Sequence, residues 1–171
     1  SEKETEDLEN ITMQAVEEAC DKLNEFRLQE GKSLYNGFMK NATTIAQLLD
    51  SVEPYEAERI TEIRQRIEEG LSKYVDIEYD RSRLEQEMIY YIEKLDVNEE
   101  KNRLRNHIKY FIETLDHEEV GQGRKLGFIA QEMGREINTL GSKSNHATLQ
   151  KIVVKMKDEL EQIKEQVLNV L

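Results

Sequence analysis

The sequence predicts an all-α chain: a long helical hairpin or arm followed by a compact bundle of three to four helices. Three observations carry this. Apolar residues recur at steps of three and four along nearly the whole chain, as at Leu126, Ile129, Met133, Ile137 and Leu140, which is one stripe of a helix. No alternating β-branched run and no Asn-Gly hairpin signal occurs. The single proline, Pro54, leaves few forced helix breaks.

Each element follows from local spacing. Ser1–Asp7 is polar, acidic and expected to fray. A first helix is expected over 8–30, with Ile11, Ala15, Val16, Ala19, Leu23 and Phe26 facing inward and Gly31 as its C-cap. A second runs over 33–52 on Leu34, Phe38, Ile45, Leu48 and Leu49. Pro54 opens a third helix at its first turn or kinks a longer one, and Ile60, Ile63, Ile67, Leu71 and Tyr74 continue it. The pattern breaks around 70–80, and a short helix over 81–95 places Leu84, Met88, Tyr91 and Leu95 in register. Asp96 or Asn98 caps the next helix, which has acids in its first turn and a core of Leu104, Ile108, Phe111 and Leu115. An acidic turn over 117–122 leads to the helix of residues 123–140. Gly141-Ser142-Lys143-Ser144-Asn145 is read as a loop that stops this helix and caps the last, whose inward residues are Leu149, Ile152, Val153, Met156, Leu160, Ile163, Val167 and Val170.

Composition narrows the function classes. The mean hydropathy of -0.75 and the absence of any run of 18 apolar residues exclude a membrane span, and no signal-peptide pattern is present. A cytoplasmic location is expected. Cys20 is alone, which excludes an internal disulfide and a cysteine-built zinc site; it reads as a small packing residue. The net charge of -12 is unevenly spread. Residues 1–95 hold 12 Lys+Arg against 23 Asp+Glu, whereas 96–145 hold 8 against 9. A local basic surface is therefore permitted in the second half.

Two helices carry more polar specificity than packing needs. At about 100° per residue, Arg124, Gln131, Arg135 and Asn138 lie roughly opposite the apolar stripe of 123–140. Guanidiniums and amides in one row suit phosphate oxygens and base edges. Lys125, Glu132 and Glu136 form a flanking ridge, with the two glutamates one turn apart. On the preceding helix Glu100, Arg103, His107 and Tyr110 share one flank, with Lys101 and Arg105 on the other. A carboxylate, a guanidinium and an imidazole in one column can support acid–base chemistry, since histidine titrates near neutrality unaided. Solvated helix faces with i,i+4 pairs account for the same letters. Gly141-Ser142-Lys143 before a helix start resembles a generic anion site, although no P-loop motif is present. Glu132/Glu136 and Glu99/Glu100 offer oxygen ligands suited to Mg or Mn. His117 and His146 show no ligand spacing and read as incidental.

The run GRKLGFIAQEMGREINTLGSKSN, followed by IVVKMKDELEQIKEQVLNV, closely resembles the C-terminal signature of the YicC/YloC family. RLEQEMIYYIEKLDVNEEKNRLRNHI resembles that family's middle segment, and FRLQEGKSL its earlier Arg-x-x-Glu-Gly element. The resemblance covers the chain from about Ala15 onward. It implies a bacterial cytoplasmic endoribonuclease that depends on a divalent metal and forms a homo-oligomer, a hexamer in the full-length family. Positions matching the shared pattern include Glu100, Arg103, Arg105, His107, Arg124, Lys125, Gln131, Glu132, Arg135, Glu136, Asn138, Ser142, Lys143 and Asn145. The chain lacks the family's opening strand-containing segment with its Ser-Met-Thr-Gly-Phe-Gly motif, and is expected to be a C-terminal piece of a longer protein. Asn106, Gly127 and Leu171 depart from the residues more usual there.

The resulting expectation is a metal-dependent enzyme that cleaves RNA. His107, tuned by Glu100 and supported by Arg103, is the candidate catalytic group. Arg105, Arg124, Lys125, Gln131, Arg135, Asn138, Ser142 and Lys143 are candidates to bind RNA, and Glu132 and Glu136 to hold Mg or Mn. An acidic hairpin or arm over 1–78 and a helical signature domain over 79–171 make up the chain. The competing expectation is a non-catalytic helical module for oligomerisation or RNA binding, whose cleavage needs the absent segment.

Overall fold

The computed structural model describes residues 2–73, 81–117 and 121–170, and among these it contains six α-helices and no strand. They are α1 (Glu2–Asp50), α2 (Glu53–Ser72), α3 (Arg81–Leu95), α4 (Asn98–Leu115), α5 (Gln122–Lys143) and α6 (Ala147–Val167). The all-α expectation holds. Tyr74 and the centre of the acidic turn before Gly123 lie outside the described residues. The chain divides into two compact units, Ser1–Phe38 and Met39–Leu171.

The first unit is a stretch of α1, and here three expectations are corrected. The helix runs straight through Gly31 with no C-cap. A helical glycine costs only about 1 kcal/mol relative to alanine, and the positive-φ glycine among the described residues is Gly121 instead. The stripe expected to face inward is exposed, with Ile11 at 66% and Phe26 at 61%, and Val16 and Leu23 likewise open. Cys20 is exposed as well rather than packed.

The second unit holds the core. Leu104, Ile108 and Phe111 of α4, the full stripe Leu126, Ile129, Met133, Ile137 and Leu140 of α5, and Leu149, Ile152, Val153, Met156, Leu160 and Ile163 of α6 are all buried. Helix α5 packs against α4 on one side and α6 on the other. Ala42, Ile45 and Leu49 from the end of α1 join this core, and Asn41 donates to Glu159 (2.6 Å) and Gln162 (2.9 Å) of α6. Gly123 is required by close approach: a Cβ there would stand 2.8 Å from the Val170 carbonyl oxygen. Pro54 sits in the first turn of α2, where its missing N–H costs nothing. The isoleucine stripe of α2 is only half-buried; its one fully buried residue is Arg59.

Candidate functional site

Helices α4 and α5 run antiparallel, and their facing edges meet in an ordered series. Lys143 Nζ donates to Glu100 Oε1 at 2.7 Å, Arg103 Nε donates to Glu136 Oε1 at 2.9 Å, and Lys125 Nζ lies 5.3 Å from the Tyr110 ring centre. As the α4 number rises from 100 to 110, its α5 partner falls from 143 to 125. The column Glu100–Arg103–His107–Tyr110 and the ridge Lys125–Glu132–Glu136 are thus the two walls of one seam. His107 stands between Arg103 and Tyr110 by helical spacing. It is half-buried, and its ring makes no hydrogen bond or ion pair with any described residue.

The seam is electrostatically ordered. Glu100 is 4% exposed. Burial pushes its carboxyl pKa up, but the Lys143 hydrogen bond, a bond to its own backbone and the charges of Lys143 and Arg103 together hold it below the ordinary carboxylate value. Glu100 Oε2 is buried without a hydrogen-bond partner among the described residues. With both oxygens sealed, Glu100 acts on its surroundings through Lys143 and Arg103. Arg103 is nearly half exposed. Its pKa is raised: the hydrogen bond to Glu136 is the largest cause, burial opposes it, and the charges of Glu136, Glu99 and Glu100 add to the rise. Arg103 also donates to Glu99 one turn back. Lys143 keeps about a third of its side chain exposed.

Other expected residues stand elsewhere. Arg124, Gln131, Arg135 and Asn138 are exposed on the outer face of α5, away from the seam. Arg124 lies over the Phe128 ring at 5.7 Å, and Arg135 pairs with Glu132 at 3.4 Å. Ser142 is exposed and donates to the Thr139 carbonyl at 2.9 Å. Arg105 faces the other flank of α4 and bonds Asp50 at 3.0 Å. The structure therefore gathers Glu100, Arg103, Glu136 and Lys143 at one end of the seam, places Lys125 at the other end over Tyr110, and leaves Arg105 and the outer row apart.

The expected loop at Gly141 is corrected: α5 continues through Lys143. The generic anion site does not form either. His146 caps α6, and its Nδ1 accepts from the amides of Thr148 (3.2 Å) and Leu149 (3.4 Å), so those donors are taken. His146 is therefore not incidental: the ring is 7% exposed and its Nε2 lies 3.6 Å from Glu58 and 3.8 Å from Glu62.

Two carboxylate groups bear on metal binding. Glu132 and Glu136 share an edge of α5, but each is engaged by an arginine, Arg135 and Arg103 respectively. Glu58, Glu62 and His146 bring donor atoms within 4.8 Å of one another. There the accepting Nδ1 puts the ring proton on Nε2, aimed at the carboxylates. A cation bound at Nε2 would force that proton to Nδ1, against the amides that it now caps. The donor sets as they stand fit hydrogen-bonded networks better than an ion cage.

Sequence spacing missed two buried cations. Lys101, 3% exposed, donates to Glu53 (3.0 Å) and Glu56. Burial lowers its pKa, and these two carboxylates more than reverse that, leaving it raised. Arg59 donates to the carbonyls of Lys143 and Leu95. A basic residue on a helix flank carries no sequence mark of burial; only the partner carboxylates and carbonyls, distant along the chain, reveal it.

Residues 52–171 match the family described as endoribonuclease YicC-like, C-terminal. Two curated relatives are each called probable endoribonuclease YicC. The one from Clostridioides difficile is 35% identical over 98% of this chain and 58% of its own length. The one from Haemophilus influenzae is 34% identical over 98% of this chain and 59% of its own length. The chain spans a little under three fifths of the curated relatives that it matches.

Proposed function

The chain belongs to the endoribonuclease YicC-like family, and from that premise we propose that it is the helical portion of an RNA-cleaving enzyme whose α4–α5 seam meets the scissile phosphate. The observation that carries this is the seam itself: two partly exposed cations, Arg103 and Lys143, held by buried carboxylates beside an unengaged imidazole. In this reading His107 removes the proton from the ribose 2′-OH, and the 2′ oxygen attacks the adjacent phosphorus. The bond to the 5′ oxygen breaks, and that oxygen takes a proton on leaving. Arg103 and Lys143 stabilise the charge gathering on the non-bridging oxygens. Glu100 and Glu136 position these two cations. Arg124, Lys125, Gln131, Arg135, Asn138 and Ser142 hold the strand along α5, with Arg105 contributing on the opposite flank of α4.

The family resemblance implies a divalent metal, with Glu132 and Glu136 as its candidate ligands, although arginines already engage both carboxylates. A divalent cation such as Mg or Mn, when bound, supplies positive charge to a phosphate or acidifies a water. At these glutamates it would have to displace Arg103 and Arg135. Cytoplasmic location and assembly into a homo-oligomer, a hexamer in the full-length protein, complete the reading. No helix among the described residues is long and apolar enough to cross a membrane.

The test uses the full-length protein on RNA. Cleavage should fall by about 10²-fold or more in His107→Ala, in keeping with loss of a general base, and cleavage unchanged in that variant rejects the base role. EDTA decides the metal, since undiminished cleavage in its presence rejects a metal requirement. The second reading, a non-catalytic RNA-binding and oligomerisation module, draws on the exposed apolar stripe of α1 and on the chain's partial span. It predicts that this chain alone forms a multimer by light scattering and binds RNA in a salt-sensitive way without cutting it.

A further inference from the structure

We propose that Arg59 is a positioning residue that sets the place of Lys143 in the seam. The proposal rests on the RNA-cleavage reading for its functional consequence, and on geometry for the rest.

Arg59 is 4% exposed, and among the described residues no carboxylate hydrogen-bonds to it. Its fork reaches two carbonyls: one terminal nitrogen donates to Lys143 O at 3.0 Å and the other to Leu95 O at 2.6 Å. Leu95 ends α3 and Lys143 ends α5. Carbonyls at helix C-termini have no partner within their helix, and they carry the negative end of the helix dipole. Two such ends therefore converge on one guanidinium and supply the counter-charge that a buried cation needs.

Lys143 closes the arrangement from its side chain. Its Nζ donates to the carbonyl of Asp96 at 3.0 Å, the residue directly after Leu95, and to Glu100 Oε1 at 2.7 Å. Arg59 and Lys143 thus take consecutive carbonyls of the α3–α4 turn. Arg59 holds the backbone of Lys143 and also the turn on which the Lys143 ammonium docks. A planar fork can bridge two acceptors in this way, whereas an ammonium at the same place is a point donor on a flexible stem. Burial lowers the Arg59 pKa, opposed by Glu56 and Asp96; the group stays cationic.

The consequence reaches Glu100. If Arg59 fixes Lys143, then loosening Arg59 weakens the Lys143–Glu100 bond and lets the Glu100 carboxyl titrate closer to its ordinary value. The first test is carboxyl-¹³C NMR titration of Glu100 in this chain, comparing Arg59 with Arg59→Lys, which keeps the charge and favours folding. An upward shift of the Glu100 midpoint supports the proposal, and an unchanged midpoint overturns it. This readout does not depend on RNA.

The second test is a double-mutant cycle on RNA cleavage by the full-length protein. Arg59→Lys should lower kcat about tenfold with little change in KM, and should add little to Lys143→Ala, because both act through one ammonium. Fully additive losses overturn the positioning role. Normal cleavage by Lys143→Ala instead rejects the cleavage reading at this residue, while the NMR result still decides what Arg59 does.

Discussion

Glu100 and Lys143 meet at 2.7 Å at the closed end of the seam, and this contact ties stability to pH. The folded-state pKa of Glu100 lies below the ordinary 4.5. Its contribution is therefore fully present above that value and is lost as pH falls through the lower folded value. Urea midpoints should drop as pH is lowered below about 4.5, and Glu100→Gln should flatten that part of the profile. At neutral pH the same substitution should cost about 2 kcal/mol, less than for a fully buried pair because Lys143 stays partly exposed. Chemical denaturation at pH 7 checks the magnitude. What single residues do here was only partly legible in the sequence. The Glu100–Arg103–His107 column follows from helical spacing, since side chains three and four apart share a face. That Glu100 is sealed while His107 is only half-buried depends on partners from other helices, Lys143 above all, which spacing within α4 cannot say.

At the scale of elements, the start of α6 and the start of α5 are the informative ends. His146 caps α6 with Nδ1, so His146→Ala should cost about 1 kcal/mol, whereas His146→Asn keeps a capping oxygen and should cost much less. A thermal melt of the two variants checks this; equal loss in both would mean that burial against Tyr55, 5.7 Å away, matters more than the cap. Gly123→Ala places a Cβ 2.8 Å from the Val170 carbonyl oxygen, and backbone cannot yield as a side chain can. The expected loss is about 1–3 kcal/mol by denaturant unfolding, as for overpacking in general. The stripe of α5 was fully readable and that of α6 readable as far as Val167, where the helix ends before the expected Val170, because their apolar periods are long and uninterrupted. The end of α5 was not: Gly141 invites a stop, yet the helix continues to Lys143, and the Gln150 side chain donates to the Gly141 carbonyl at 2.7 Å.

For the whole molecule, charge distribution governs how RNA can be approached. A net charge of -12 repels a polyanion at long range, so the RNA binding proposed above requires local cations and should weaken steeply with salt. Arg135 is exposed on the outer face of α5. Arg135→Ala in the full-length protein should weaken RNA binding and lower the salt slope by about one if it contacts a phosphate. An unchanged slope across a salt titration would remove Arg135 from the interface.

The sequence by itself determined the helical class, the core stripes of α4, α5 and α6, the pairing of Glu100 and Arg103 on one flank and the resemblance that names the family. Each of these is written in spacing or in contiguous letters, and local periodicity survives folding unchanged. Only the tertiary structure decided which polar residues lie inside. Arg59 and Lys101 are buried where carbonyls and carboxylates of other segments accept from them, and His146 where Glu58 and Glu62 of α2 lie beside its ring; these partners are distant along the chain. The stripe of α1 near Ile11 shows the opposite case: an apolar period that promises burial stays exposed, because periodicity marks a face fit for packing and cannot supply the surface that would cover it.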